Sequence, residues 1–509
     1  MELSNPIVTI FSILLVLLIS ICIHNLKKQK KDAKKYHPFG GTVFDMLKNY
    51  GQLHHYMTDH AAKYKTYRIF SPFHGEVYTA DPVNVEYMLK TNFQNYGKGT
   101  YSRSIIKELL GDGIFAVDGT SWQQQRRVSS REFSTKILRD FSSATFKECA
   151  IKLGNIFSEA AKSSNQIIDI NDWFMKATTD SIFKVGFGVD LNNLSGATEE
   201  NLKFMRAFDD ANTLTYERFV DITWKIKKFF NIGFEAELKK NIKVIDEFVY
   251  KVIRTKTEQM HNSKDDSPLK KQDILSRFIQ INDRDQKYLR DIILNFVLAG
   301  KDPIAITMSW FIYMLCKHPE IQEKIAKEIQ EATEINEKIT SVADFAANVN
   351  EDIINKMQYL QAALSETIRL YPALPVDPKI CFADDVLPDG CNVKKGDLVA
   401  YLPYAMGRMK FIWGDDALEF KPTRWLDHNG YFRSESPFKF TAFQAGPRTC
   451  LGQDFAYRQL KIFSSILLGC FQFRLSDEKD EYTYRMSINI HVDRPLQVRV
   501  FNRYGLTDP

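Results

Sequence analysis

The sequence lacks several features that would indicate an architecture directly. Its seven cysteines are scattered over 509 residues without a Cys-x-x-Cys pair or a dense framework, which favours a reducing compartment or single-cysteine chemistry over disulfides. No Pro-, Gly- or Ser-rich linker and no internal repeat divides the chain after its N-terminus, so one large folded unit is favoured over the roughly three domains that length suggests. The net charge of +5 is small and gives no indication of nucleic-acid binding.

One long hydrophobic run is present, close to the N-terminus. Residues 7–23 are almost entirely Ile, Leu, Val and Phe, close to the roughly 17–25 residues that cross a bilayer. Glu2 precedes this run and six lysines follow it within residues 27–35, whereas a cleaved signal peptide carries positive charge before its apolar stretch. A peripheral amphipathic helix is the alternative, but this run is apolar on all sides. The sequence predicts a transmembrane anchor over 1–26 and a basic stop-transfer segment and hinge over 27–41, with the remainder in the cytosol.

The rest of the chain reads mainly as helix, with a minor strand component near both ends. Residues 67–80 predict two strands around a turn, and Asp81 and Pro82 then provide the N-cap and first position of a helix. Residues 288–316 predict one long apolar helix running through the core. Residues 485–501 predict strands on either side of a turn. The predicted fold class is therefore mainly α with small β-sheets.

The strongest motif is Phe443-Gln-Ala-Gly-Pro-Arg-Thr-Cys-Leu-Gly452. Cys450 comes just before an apolar helix, where free backbone N–H groups stabilise a thiolate over a thiol. Gly446 and Gly452 allow a planar group to approach the backbone, and Arg448 offers a fork of donors to a carboxylate. A lone cysteine is more often a small hydrophobe, but the full pattern indicates a haem iron ligand with its propionate partner.

This loop gives the chain a plain resemblance to the cytochrome P-450 family of haem-thiolate monooxygenases, whose signature it matches at every fixed position. The resemblance implies a cytochrome P-450 fold, with a single large catalytic domain over residues 42–509 that binds haem b. It implies Cys450 as the iron ligand, and electrons from NADPH through a separate NADPH-cytochrome P-450 reductase. It also implies the endoplasmic reticulum membrane as the location. The haem-contacting residues that it implies in this loop are Phe443, Gly446, Arg448 and Gly452.

Further motifs match the family in the expected order. Glu366 and Arg369 match its Glu-x-x-Arg pair, three apart on one helix face, and Arg424 lies where the resemblance implies a third member of a buried structural triad. Taken alone, such a pair is usually a solvated surface contact.

The predicted helix around residue 122 carries a second set of matches. Trp122 and Arg126 are four apart and share one face, so both can clasp the haem propionates as the resemblance implies. Lys379 falls where relatives often place another basic propionate contact, and a different role for this lysine remains equally open.

More narrowly, several stretches resemble the plant fatty-acid ω-hydroxylase group. This resemblance implies a long-chain fatty acid as the substrate, hydroxylated at or near its methyl end. No basic anchor for a fatty carboxylate stands out in the sequence. The stretches that carry the resemblance are residues 113–119, 299–302, 387–390 and 404–409.

The central helix departs from the family at one position. Gly300 and Asp302 match the family's catalytic motif, but Pro303 stands where the family has threonine. Proline inside a helix costs about 3 kcal/mol, although the family's helix is already distorted there. The missing hydroxyl leaves Asp302 as the expected proton relay. Thr307, one turn further, could contribute a hydroxyl, but bonding back to the carbonyl of residue 303 is the favoured prediction for it.

Three readings of this departure remain open. The chain is a fatty-acid monooxygenase in which Asp302 and ordered water deliver protons, or an isomerase- or dehydratase-type relative that rearranges a lipid hydroperoxide. The third reading is a catalytically silent haem or lipid binder. The uninterrupted loop before Cys450 favours the first, because the best-known plant isomerase-type relatives carry an altered loop.

Overall fold

The structure is a computed structural model that describes residues 20, 23, 39–71, 75–163, 166–221, 223–262, 273–281, 285–335 and 339–504. The predicted transmembrane anchor and basic hinge lie outside the described residues, apart from positions 20, 23 and 39–41. Helices dominate the described part of the chain and the sheets are small, which confirms the predicted fold class.

The helices alternate with short strands near both ends of the chain. In chain order the helices are α1 (Val43–Lys48), α2 (Leu53–Tyr64), α3 (Pro82–Glu86), α4 (Gly99–Leu110), α5 (Gly119–Phe133), α6 (Lys136–Lys162), α7 (Ile170–Phe187), α8 (Glu199–Val220), α9 (Trp224–Phe230), α10 (Phe234–Asn262), α11 (Ile274–Ile281), α12 (Gln286–Gly300), α13 (Asp302–Lys317), α14 (Pro319–Thr333), α15 (Val342–Ala347), α16 (Glu351–Lys356), α17 (Gln358–Leu370), α18 (Pro403–Met406), α19 (Lys410–Trp413) and α20 (Gln453–Cys470). The strands are β1 (Phe39–Thr42), β2 (Thr66–Phe70), β3 (Gly75–Thr79), β4 (Tyr96–Gly97), β5 (Ile168–Asp169), β6 (Asp377–Cys381), β7 (Asp385–Val386), β8 (Asn392–Val393), β9 (Leu398–Tyr401), β10 (Phe471–Leu475), β11 (Tyr484–Arg485), β12 (His491–Val492) and β13 (Gln497–Asn502).

The chain forms two compact units, each assembled from segments that are distant in sequence. The single-domain organisation predicted from the sequence stays a prediction. The first unit comprises Met1–Gly99, Pro375–Leu418 and Ser436–Thr449, and the second comprises Thr100–Leu374, Glu419–Glu435 and Cys450–Pro509.

The first unit is built on a six-stranded sheet in the order β1-β2-β3-β9-β6-β4. Strands β2 and β3 form the predicted antiparallel pair, with Thr66 opposite Thr79. The predicted cap is also present, because Asp81 accepts a hydrogen bond from the Val83 N–H at 2.9 Å and Pro82 begins α3. Every residue of β3 is buried, so both faces of the sheet are covered at its centre.

The second unit is mainly helical, and α12 and α13 run through its core. The single helix predicted over 288–316 is wrong at one point, because α12 ends at Gly300 and α13 begins at Asp302, with Lys301 between them. Pro303 therefore falls in the first turn of a new helix. N–H groups there have no intrahelical acceptor, so the missing N–H of proline removes no helical hydrogen bond.

Within the described residues, the segment from Gln286 to Lys317 has the length and the apolar composition needed to cross a membrane. However, 78% of its most apolar window is buried inside the protein. That burial is typical of a core helix in a folded unit, which agrees with the sequence prediction for this segment.

Candidate active site

Cys450 lies two residues before the N-cap of α20, Gly452. Protein surrounds most of its side chain, and this burial raises the pKa of the Cys450 thiol, while the backbone N–H of Gly452 and the charge of Arg126 oppose the rise. Solvent nevertheless reaches the residue. A thiol beside a hydrogen-bond donor and a cation, in a residue that solvent reaches, is suited to act as a thiolate ligand. The other described cysteines are less accessible: Cys149, Cys381, Cys391 and Cys470 are buried, and Cys316 is partly buried.

Helix α5 presents the predicted Trp122 and Arg126. Trp122 is buried, and Arg126 is partly buried with its charge acting on the Cys450 thiol. The structure therefore brings one predicted propionate-binding residue close to the predicted iron ligand. The adjacent Gln125 fixes the helix by donating to the Asp112 carbonyl at 2.8 Å.

In the first unit, Lys379 belongs to a buried cluster of charges. Asp377 accepts hydrogen bonds from Lys379 Nζ at 2.7 Å and from Lys98 Nζ at 3.1 Å, and Tyr401 donates to it at 2.7 Å. Burial lowers the pKa of Lys379 to about 7, and the nearby charges of Lys98 and Arg448 act in the same direction. Two lysines bind this one carboxylate, and Arg448 is near enough for its charge to act on Lys379. The cluster therefore holds more basic groups than carboxylates, and a further carboxylate would favour the charged form of Lys379.

The residues present fit a haem group. Within the first unit, Arg448 is nearly buried and the basic cluster around Lys379 is suited to a carboxylate. Within the second unit, the charge of Arg126 acts on the Cys450 thiol, as suits an iron ligand with a basic neighbour. Phe443 packs edge-on against Phe440, with ring centroids 6.3 Å apart. An alanine methyl at Gly452 would lie 3.8 Å from the Cys450 sulfur, an ordinary contact, so the protein's own packing does not require glycine there. The haem-binding roles of these residues remain predictions.

Gly446 has a steric reason to be glycine. Its φ of +65° lies in the left-handed region, and a Cβ atom there would overlap the backbone carbonyl oxygen of Leu89. Backbone cannot move away as a flexible side chain can. Gly446 therefore sets the path of the chain just before Arg448.

We expect Gly446→Ala to destabilise the protein more than Gly119→Ala does. Gly119 has a similar φ of +60°, but nothing lies within 4 Å of a Cβ built on it, so its replacement carries only the left-handed penalty of about 1–2 kcal/mol. At Gly446 the overlap with Leu89 adds to that penalty. Urea unfolding of both variants measures the difference, and equal losses of unfolding free energy would show that the clash is relieved at no cost.

The predicted structural triad is present and larger than predicted. Glu366 is fully buried and accepts from Arg369 through Nε at 2.7 Å and Nη2 at 2.8 Å, and from Arg424 Nε at 3.3 Å. The Trp425 indole N–H and the Lys421 backbone N–H donate to it at 2.9 Å each. The short Glu-x-x-Arg motif carries no signal for these last two donors. Five hydrogen bonds on one carboxylate fix α17 to the segment around residue 424.

Asp302 lies at the break between α12 and α13, in a second charged cluster of which Lys301 and Asp302 are the buried members. Lys301 Nζ donates to Asp302 Oδ1 at 3.0 Å and to Asp209 Oδ1 on α8 at 2.6 Å. Asn212, one turn along α8, donates to Asp302 Oδ2 at 3.4 Å. Both neighbouring carboxylates raise the pKa of the buried Lys301, so it remains charged. The motif shows Lys301 and Asp302, but nothing in the sequence indicates their two partners on α8.

Three other residues near the break are Thr307, Gly300 and His491. The Thr307 hydroxyl donates to the Pro303 carbonyl at 2.7 Å, which confirms the favoured prediction that it bonds back to its own helix. Gly300 is needed for packing, because a Cβ there would overlap the Ile182 side chain on α7. Burial lowers the pKa of His491 to about 4, against the opposing charge of Asp302, so this imidazole is neutral at physiological pH.

Comparison with known proteins gives the family. The sequence model described as Cytochrome P450 matches residues 33–495. Cytochrome P450 704C1 of Pinus taeda is 48% identical over 505 residues, covering 96% of this chain and 96% of the relative. Cytochrome P450 704B1 of Arabidopsis thaliana is 43% identical over 514 residues, with 95% and 97% covered, and cytochrome P450 86B1 of the same plant is 36% identical over 510 residues, with 97% and 90% covered. The chain belongs to the cytochrome P450 family of haem-dependent monooxygenases, as its motifs predict.

Proposed function

We propose that this protein hydroxylates a long-chain fatty acid at or near its methyl end, at the endoplasmic reticulum membrane. It uses O2 and electrons from NADPH that arrive through a separate NADPH-cytochrome P-450 reductase. One oxygen atom enters the C–H bond of the substrate, and the other leaves as water with two protons and two electrons. The accessible Cys450 beside Gly452 and Arg126 is the observation that carries the proposal.

The haem supplies the oxygen chemistry when it is bound, and the chain's own residues hold it and move protons. Cys450 is the ligand of the haem iron, and the carboxylates of the haem are bound by Arg126, Arg448 and Lys379. The basic character of all three, and the burial of Arg448 and Lys379, support this assignment. Asp302 holds and passes protons at its carboxylate. This carboxylate is buried, but it contacts Asn212 on α8, which is only partly buried.

The fatty-acid assignment is supported by the resemblance to plant ω-hydroxylases and by the loop over residues 113–119. Asn295 on α12 fixes this loop, because its Oδ1 accepts from the Phe115 N–H at 3.2 Å and its Nδ2 donates to the Leu110 carbonyl at 2.9 Å. A Cβ at Gly113 would overlap Asn295. The loop thereby presents the Phe115 ring, 36% exposed, which offers an apolar surface suited to a hydrocarbon chain.

A panel of fatty acids of increasing chain length tests the function with the reductase-reconstituted protein. We expect a change in the haem spin state on binding and a hydroxylated product that depends on NADPH, with a maximum at one chain length. The products are identified by mass spectrometry. Product from a lipid hydroperoxide without NADPH would instead support the isomerase reading, and a spin-state change without any product would support the silent binder.

A further inference from the structure

Both oxygens of the Asp302 carboxylate are engaged by other side chains. Lys301 Nζ lies 3.0 Å from Oδ1, and Asn212 Nδ2 lies 3.4 Å from Oδ2. The lysine contact is charge-assisted and shorter, whereas the amide contact is neutral and long. Oδ2 is therefore the oxygen at which a water molecule can most easily join or replace the existing donor.

The Lys301 ion pairs hold Asn212 in place. Lys301 also binds Asp209, which lies three residues before Asn212 on the same face of α8. Lys301 is 1% exposed, whereas the Asp209 side chain is 49% exposed, so this tie between α8 and the start of α13 is buried at its lysine end. The position of Asn212 beside Asp302 is therefore set by the ion pairs of a buried lysine.

No hydroxyl on the first turn of α13 serves Asp302 in the described structure. Position 303 is proline, and the hydroxyl hydrogen of Thr307 is used by the Pro303 carbonyl. A water beside Asp302 therefore needs a polar partner, in addition to the Asp302 carboxylate, from another element. Asn212 on α8 already contacts that carboxylate.

Asn212 also carries a buried acceptor with no hydrogen-bond partner among the described residues, its Oδ1. Buried acceptors in native proteins are nearly always paired with a protein group or an ordered water. The amide of asparagine has an acceptor oxygen and a donor NH₂ group, whereas the hydroxyl of threonine is both donor and acceptor. Asparagine can therefore offer a water the same two kinds of hydrogen bond. A water that donates to Asn212 Oδ1 would satisfy this oxygen beside the Asp302 carboxylate.

We propose that Asn212 is a positioning residue for proton delivery, which holds an ordered water at Asp302 and thereby replaces the hydroxyl missing at position 303. The inference rests on the proposed monooxygenase function, in which two protons must reach the departing oxygen atom in each turnover. When these protons arrive slowly, reduced oxygen is lost as hydrogen peroxide and NADPH is consumed without product.

The test is a double-mutant cycle between positions 212 and 303 in the holoenzyme. Asn212→Leu keeps the size of the side chain and removes both polar atoms, and we expect product per NADPH to fall by about 3- to 10-fold, with a matching rise in peroxide. Pro303→Thr introduces the hydroxyl in a first helical turn, where its extra N–H needs no intrahelical acceptor. It should restore product per NADPH in the Asn212→Leu background and change it little in the wild type.

The neighbouring Thr213 provides a matched control. It is exposed and its hydroxyl donates to the Asp209 carbonyl at 3.1 Å, so Thr213→Val alters α8 without touching Asp302, and product per NADPH should not change. A fall in the ratio that Pro303→Thr does not restore would overturn the proposal, because a purely structural role for Asn212 gives that result. An unchanged ratio in Asn212→Leu would overturn it equally.

A second readout needs no turnover. The C–O stretching frequency of the reduced carbon monoxide complex responds to polar groups in the pocket above the haem. Asn212→Leu should shift this frequency and Thr213→Val should not, and an unshifted frequency in Asn212→Leu overturns the proposal. If no fatty acid gives product with the wild type, the proposed substrate is wrong, and this spectrum still decides whether Asn212 contributes to the site.

Discussion

Replacing Cys450 with serine is expected to abolish the thiolate signature in the spectrum of the reduced carbon monoxide complex. Fatty-acid hydroxylation should fall below detection in the same variant. A serine hydroxyl is far harder to ionise than a thiol and offers no sulfur to the iron. Burial raises the pKa of the Cys450 thiol, but the Gly452 N–H and the charge of Arg126 oppose that rise and favour the anion. The protein loses the charged sulfur ligand that the proposed chemistry needs.

Cys316→Ser is the matched control for this substitution. Cys316 lies in the last turn of α13, and burial raises the pKa of its thiol to about 12. Its side chain is therefore protonated, and it belongs to no part of the proposed haem site. The control should keep both the spectrum and the hydroxylation activity. A thiolate signature that survives in Cys450→Ser, or disappears in Cys316→Ser, would show that the ligand has been assigned to the wrong residue.

Local signals in the sequence are sufficient for features whose partners are close along the chain. Asp81 and Pro82 start α3 as predicted, because capping needs only the next few residues. Pro303 also marks a real break. Its exact form, with Lys301 outside both helices, could not be predicted, because the lysine is held there by Asp209 from a helix about 90 residues away.

Strand pairing shows the same limit near the C-terminus. The alternation over residues 485–501 correctly predicts strands, but they do not pair with one another across the turn at 493–495. Strand β12 pairs with β11, whereas β13 lies between β10 and β5. Partner choice depends on which apolar faces meet in the folded unit, and a period of two contains no information about that choice.

The Glu366 cluster combines a part that the motif predicts with a part that only the fold supplies. The motif predicts Arg369 and Arg424, whereas the indole of Trp425 reaches the same carboxylate because the short 3₁₀ turn Pro422–Trp425 directs it inward. Arg369 also donates to the Glu419 carbonyl at 3.0 Å. Four donor groups from two separate segments thus converge on one buried anion, so its removal affects more than a single ion pair.

Glu366→Gln is therefore expected to lower the free energy of unfolding by about 3–5 kcal/mol, the usual loss when one partner of a buried ion pair is removed. Glutamine keeps the shape but leaves the charges of Arg369 and Arg424 without a carboxylate, and its amide NH₂ faces donors instead of accepting from them. Such a loss is a large share of the roughly 5–15 kcal/mol that stabilises a typical protein, so we also expect poor haem retention.

Glu331→Gln is the control for charge removal alone. Glu331 pairs with Lys327 at 3.7 Å on α14, where both side chains are about two-thirds exposed or more, and such pairs contribute at most about 1 kcal/mol. Urea unfolding of the two variants separates the buried from the exposed carboxylate. If Glu366→Gln unfolds at the same urea concentration as Glu331→Gln, the five hydrogen bonds at Glu366 do not stabilise the fold, and the cluster must be retained for another reason. If Glu366→Gln loses haem but unfolds at the same urea concentration, the packing of α17 alone keeps the fold stable. The cluster would then serve to hold the geometry of the haem-binding segment.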